Sequence, residues 1–151
     1  MKEVYLVVPN IRSAHNVGAM FRTSDAFGIK KIFLCGYTAT PPKKQIDKVA
    51  LGAEKWIPWE HYDNPKVPIK NLKKEGVEIV GLEKTDSSQS VSEASFNYPI
   101  ALVVGQEVSG MDMDLVEMCD KIIHIPMRGK KSSLNVSVAV GAALQSIINH
   151  N

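Results

Sequence analysis

Predominantly apolar runs of strand length recur along this chain, at Val4 to Val8, Lys31 to Cys35, Val77 to Leu82, Ile100 to Val104 and Ile122 to Ile125. Strands with little polar alternation suit a sheet covered on both faces, which is the usual state of a parallel sheet. Helical stretches separate them. His15 to Phe27 places Val17, Met20, Phe21 and Ser24 near one stripe and stops at Gly28; Ile69 to Lys74 is closed by Gly76; Met113 to Met118 and Ser133 to Ile148 complete the set. This alternation predicts an α/β fold with a mainly parallel sheet flanked by helices. Three stretches are less regular. Residues 36–55 carry Pro41-Pro42 and read as loop with a short helical piece near Ile46 to Leu51. Trp56 to Pro58 reads as a short strand, and the Ser-rich residues 84–98 as loop with one turn around Ser92.

At 151 residues the sequence reads as a single domain, 1–151, large enough to bury a core. No apolar run approaches the roughly 18–20 residues of a membrane-spanning helix, so no membrane association is expected. The N-terminus breaks at Pro9, too early for a signal peptide. Cys35 and Cys119 lie far apart without metal-ligand spacing, which points to reduced packing thiols, a cytoplasmic setting and no metal. A net charge of +2 does not by itself argue for nucleic acid. Among the lysine pairs, Lys30-Lys31, Lys43-Lys44 and Lys73-Lys74 read as solvated turn residues. Lys130-Lys131 differs in its neighbourhood.

That neighbourhood, residues 125–137, reads Ile-Pro-Met-Arg-Gly-Lys-Lys-Ser-Ser-Leu-Asn-Val-Ser. A strand is stopped by Pro126, a loop follows, and a small-residue helix opens after it. Ser132 and Ser133 are good N-cap residues, and a helix N-terminus offers unpaired N–H groups to a ligand. Such a junction marks a cofactor site at the carboxyl edge of a sheet. Two further segments stand out. Asn16 and Arg22 lie six residues apart on one helix in Asn-Val-Gly-Ala-Met-Phe-Arg, and Gly105-Gln-Glu107-Val-Ser-Gly110 forms a Gly-x-Glu-x-x-Gly loop after a strand.

Taken along the chain, the Asn16 segment, the Gly105 loop and residues 125–137 resemble motifs 1, 2 and 3 of the SpoU/TrmH branch of the SPOUT RNA methyltransferases, over about residues 4 to 149. The resemblance implies a C-terminal deep trefoil knot and a homodimer with the site near the subunit interface. It also implies transfer of a methyl group from S-adenosylmethionine to a ribose 2′-hydroxyl of tRNA or rRNA. The cofactor cradle would be loop backbone near Leu82, around Gly105 to Gly110, and from Ile125 through Met127 to Ser133 and Leu134. Arg22 is the family's essential group at the 2′-hydroxyl. A guanidinium stays protonated, so Arg22 reads as a phosphate clamp and a stabiliser of the developing alkoxide rather than as a base.

Asn16 fixes Arg22 or nearby backbone, or caps its own helix. Glu107 holds Arg22, Asn16 or the closing helix. Ser133 and Asn135 contact ribose and cofactor, or serve as cap and first-turn residue, and both roles are compatible. Arg12 offers a second RNA contact. His15 reads as exposed rather than as a general base, and His124 as a hydrogen-bonded residue of an apolar strand. Gln106 stands where many relatives carry Asn. Many relatives also carry an N-terminal RNA-binding domain, which this sequence is not expected to have. Gly129-Lys130-Lys131-Ser132 faintly echoes a phosphate-binding loop, but His124 occupies the place of its first glycine. The alternative from another class is a non-catalytic RNA-binding dimer. Asn16, Arg22, Glu107, Ser133 and Asn135 together argue against it.

Overall fold

The computed structural model describes residues 2–150. Seven strands form one sheet: β1 (Val4–Pro9), β2 (Lys31–Cys35), β3 (Trp59–Tyr62), β4 (Glu78–Leu82), β5 (Gln89–Ser90), β6 (Ile100–Val104) and β7 (Lys121–His124). Five α-helices accompany them: α1 (Ala14–Phe27), α2 (Lys44–Ala50), α3 (Lys66–Lys74), α4 (Met113–Met118) and α5 (Val136–Ile148). The spatial order is β3-β2-β1-β6-β4-β7-β5, and every pairing is parallel. The chain walks outward from β1 to β3, crosses back to β4, and later slots β6 between β1 and β4.

The two faces of the sheet carry separate cores. Val4, Leu6 and Val8 of β1 and Ile100, Leu102 and Val104 of β6 meet Val17, Met20 and Phe21 of α1, Ile46 of α2, and Val140, Ala143 and Leu144 of α5. Val7, Ala101 and Val103 point the other way, toward Ile69 and Leu72 of α3 and Leu115 of α4. This is why the strands read as unbroken apolar runs: both sides of each pleat are buried. Cys35 and Cys119 are free, and burial pushes both thiols up to about 12, which suits packing rather than reactivity.

Helix ends follow local chemistry. The Ser13 side chain accepts from the Asn16 N–H at 3.1 Å, so Ser13 caps α1 and Asn16 lies one turn inside. Gly28 ends that helix with φ 65°, a conformation L residues disfavour. Three expectations shift. The third strand is Trp59–Tyr62, not Trp56 to Pro58, because Trp56 and Ile57 donate back to Ala53 O (3.2 and 3.0 Å) in a 3₁₀ turn. Pro58 has no N–H for the ladder. Within 84–98, Gln89 and Ser90 add a short edge strand beside β7. The closing helix begins at Val136 rather than Ser133.

The interface of α1 with α2 is set by Gly18. A Cβ there would lie 2.7 Å from Ile46 O and 3.0 Å from Val49 Cβ. The first of these is backbone and cannot rotate away. Gly18→Ala is therefore expected to destabilise the protein by about 1–3 kcal/mol, outweighing alanine's better helix propensity of roughly 1 kcal/mol. Urea denaturation of the two proteins measures the difference.

Candidate functional site

The carboxyl ends of the adjacent strands β6, β4 and β7 open onto a cleft of about 440 Å³, a size suited to a small organic ligand. Leu82, Glu83 and Lys84 line it from β4, Val104 to Gly110 from β6, and His124, Ile125 and Met127 from β7. Ser132 to Val136 and Ala139 close it from the loop and first turn before and within α5. Each residue expected to border the cofactor, Leu82, Gly105, Gly110, Ile125, Met127, Ser133 and Leu134, is in this lining.

The loop after β6 is tight because two of its residues lack side chains. A Cβ on Gly105 would come within 2.7 Å of Met111 N and 2.9 Å of Gly110 C, so the loop could not fold back on itself. Gly110 has φ 74°, and a side chain on it would strike the Glu83 carboxylate. Glu83 Oε2 accepts from the Met111 N–H at 2.7 Å and its Oε1 from the Lys84 N–H at 2.9 Å. Gln106 and Gly110 exchange backbone hydrogen bonds (3.0 and 3.2 Å) to complete the turn.

Glu107 extends from that loop to the start of α1. Its carboxylate accepts from Arg12 N–H (3.0 Å), Ser13 N–H (3.1 Å) and Asn16 Nδ2 (3.3 Å). Partial burial pushes its pKa up, but the donors at Arg12, Ser13 and Asn16 outweigh that and hold it below the ordinary carboxylate value. Asn16, itself 7% exposed, accepts on Oδ1 from Asn135 Nδ2 at 3.3 Å. The other end of Asn135 accepts from Ser137 N–H (2.9 Å), Ser137 Oγ (2.6 Å) and Val138 N–H (3.4 Å). Asn135 is thus the N-cap of α5, and the serines before it are not. Glu107, Asn16 and Asn135 form one relay across three segments more than ninety residues apart at the extremes.

Other expected residues sit differently. Arg22 is exposed on α1, outside the cleft lining, with no ion pair or hydrogen-bond partner among the described residues. It does not meet Asn16 within the same chain: six residues on a helix are about 240° apart in azimuth, on another face. Ser133 borders the cleft, and Arg128, Lys130 and Lys131 are exposed beside it. His15 is exposed.

Sequence reading missed Glu83 and Lys84, although their place directly after a strand at the cofactor edge was the available signal. His124 is half-buried and lines the cleft. Its Nδ1 lies 2.8 Å from Ser88 Oγ, whose proton goes to Thr85 O (2.8 Å), so Nδ1 is the donor. Nε2 then faces Lys84 Nζ at 3.4 Å. Burial first, and the Lys84 charge second, lower the pKa of His124 and keep it neutral at pH 7.

A parallel sheet with a backbone-rich cleft at three adjoining carboxyl ends defines an α/β protein built to hold a small ligand beside a helix N-terminus. Residues 3–145 match the SpoU rRNA Methylase family, and the chain belongs to it. It is 37% identical over 144 residues to the tRNA (guanosine(18)-2′-O)-methyltransferase of Aquifex aeolicus, covering 95% of this chain and 67% of that one. It is 35% identical to the 23S rRNA (guanosine-2′-O-)-methyltransferase RlmB of Vibrio parahaemolyticus, covering 92% of this chain and 56% of the relative. Among solved structures, the AdoMet-bound rRNA methyltransferase of Sinorhizobium meliloti superposes with a TM-score of 0.90 at 25% identity, over 98% of this chain and 56% of that chain. The chain therefore spans between about half and two thirds of the length of these relatives.

The depressed pKa of Glu107 fixes a pH dependence. Its contribution to stability is fully present above the ordinary value of 4.5 and is lost as pH falls through the lower folded value. The stability difference between the wild type and Glu107→Gln is expected to be level near neutrality and to shrink under acid. Urea denaturation of both proteins from neutral to acid pH tests this.

Proposed function

We propose that this protein is an S-adenosylmethionine-dependent methyltransferase acting on a ribose 2′-hydroxyl of tRNA or rRNA. The observation that carries the reading is the Glu107–Asn16–Asn135 relay, which gathers the three motif segments beside one cleft. The relatives support it, since they are named as 2′-O-methyltransferases of tRNA and 23S rRNA. Nothing supports the binding-only alternative.

The cleft suits the cofactor chemically. Leu82, Val104, Ile125, Met127 and Leu134 offer apolar walls for a purine, while loop backbone, Ser132, Ser133 and Lys84 offer polar partners for the ribose and amino-acid ends. When bound, S-adenosylmethionine would supply an activated methyl group to a ribose oxygen, leaving as S-adenosylhomocysteine while the hydroxyl proton passes to water. The residues of this chain do the positioning. Glu107 and Asn16 hold the β6 loop against α1, and Asn135 fixes the first turn of α5. The Ser133 hydroxyl, part of the cleft lining, meets the ribose in this reading. Arg22 binds a phosphate of the RNA and stabilises negative charge developing on the 2′-oxygen.

We further propose a homodimer. Val108, Met127, Leu134 and Val138 are 88%, 36%, 39% and 54% exposed around the cleft and the outer face of α5, apolar area that a second copy would cover. The unpartnered Arg22 on α1 suits completion of a site across that interface. The late insertion of β6 and β7 among earlier strands is compatible with the C-terminal trefoil knot. The reading has the protein act as one domain in the cytoplasm; among the described residues no helix is long and apolar enough to cross a membrane.

Calorimetric titration with S-adenosylmethionine, followed by transfer of labelled methyl groups to bulk tRNA and rRNA, tests the function. Arg22→Ala is expected to bind S-adenosylmethionine within about twofold of wild type and to lose on the order of 100-fold or more in transfer rate. Unchanged turnover would remove Arg22 from the reaction. Gly105→Ala, which displaces the loop backbone, is expected to weaken cofactor binding by about tenfold or more. Equal affinity would place the cofactor elsewhere.

A further inference from the structure

The loop after β2 holds an aromatic side chain out to solvent beside the β6 loop. Tyr37 is 56% exposed, yet the backbone that carries it is fastened on every side. Its N–H donates to Asn10 Oδ1 at 3.2 Å. Gly36 N–H donates to Tyr62 O (2.9 Å), and Gly36 O accepts from His61 Nε2 (2.9 Å). On the other flank, Thr38 N–H donates to Cys35 O (3.2 Å), and the buried Thr38 hydroxyl donates to Val8 O and accepts from Ile11 N–H, both at 2.9 Å. The Tyr37 hydroxyl donates to Gln106 Oε1 at 3.4 Å, at the long end for a hydrogen bond.

Asn10 adds a second, independent mark. It is one of two non-glycine residues with positive φ among the described residues, at 55°, and its side chain is the acceptor for the Tyr37 N–H. Asn tolerates this left-handed conformation better than most L residues, and here it turns its side chain to take the Tyr37 N–H. That bond fastens the backbone of an exposed ring, which by hydrophobicity alone has no reason to be out. Two residues along the same loop, Arg12 gives its backbone N–H to Glu107 and keeps an exposed guanidinium with no partner among the described residues. Gln106, the residue Tyr37 touches, is itself part of the cleft lining. An exposed aromatic ring on a fastened backbone and a free cation, each on a residue bonded to the cleft lining, are the two parts of a single-strand platform. Bases stack on the ring whatever their sequence, and the cation follows the phosphates.

We propose that Tyr37 is a stacking platform for an unpaired RNA base next to the nucleotide that enters the cleft, with Arg12 pairing the adjoining phosphate. The proposal rests on the RNA-methyltransferase reading and adds a feature of the substrate: the segment beside the target ribose is single-stranded. Duplex RNA keeps its bases stacked on each other and offers the ring nothing.

The test uses the full chain and two fluorescein-labelled probes, a mixed-sequence single-stranded oligoribonucleotide and the same strand in a duplex. Wild type is expected to favour the single strand. Tyr37→Ala should bind it about 10- to 100-fold more weakly, as loss of one stacked base implies, while Tyr37→Phe keeps its affinity. Tyr37→Leu tells stacking from plain apolar contact, and should behave as the alanine variant. S-adenosylmethionine affinity should be the same in all four proteins, which also shows that each is folded. Equal RNA binding by wild type and Tyr37→Ala, full rescue by leucine, or a preference for duplex would each overturn the platform. If the chain binds S-adenosylmethionine and RNA but Tyr37 is indifferent, only the platform fails; if wild type binds neither, the methyltransferase reading fails with it.

Discussion

Asn16 joins Glu107 to Asn135 through two hydrogen bonds of 3.3 Å, slightly longer than usual, and the geometry of the cleft depends on those contacts. Asn16 is the hub because an amide can donate at one end and accept at the other. It donates to the carboxylate of the β6 loop and accepts from the cap residue of α5. Each bond contributes modestly, about 0.5–1.5 kcal/mol net, rising when a charged partner takes part. Their value is geometric. Three loops that could each adopt several conformations are held in one, beside the strand ends that frame the ligand.

The scaffold beneath explains why these loops meet. Because β6 enters between β1 and β4, the loop that follows it emerges next to the loop leading from β1 into α1. Glu107 therefore needs only the length of its side chain to reach Arg12 and Ser13 N–H groups. On the opposite side the same loop is held by Glu83, which follows β4. Two carboxylates thus fix one short turn, Glu107 reaching out from it and Glu83 reaching in, and both accept from N–H groups rather than cations. The electrostatics are those of a pre-set cradle: negative groups turned inward to the frame, while Arg22, Arg128, Lys130 and Lys131 stay exposed to solvent.

Much of the fold was legible because both faces of the sheet are buried. That requirement writes an apolar run for each central strand, and β1, β2, β4 and β6 fall where the runs are. Chain punctuation was legible where chemistry is local, as at Gly28, whose positive φ ends α1. Some readings failed to a local turn and others to a distant partner. Trp56 and Ile57 looked like strand residues but complete a 3₁₀ turn on Ala53. Gln89 and Ser90 carry no strand signal and became one by lying against β7. Two serines looked like the cap of α5, but Asn135 took that place, because its side chain alone can satisfy the Ser137 and Val138 N–H groups while giving its amide protons to Asn16.

By itself the sequence determined the class of fold and the central strands, which follow from periodicity along a continuous stretch, while the motif residues were marked by their resemblance to a family. Tertiary structure alone decided their assembly. It joined Glu107 to Asn16 and Asn135, brought Glu83 under the glycine loop, and left Arg22 on a separate face with its charge free. The physical reason is range. Hydrophobic pattern and capping act over a few residues, whereas a hydrogen bond between residues 16 and 135 exists only after the strand order has closed the distance between them.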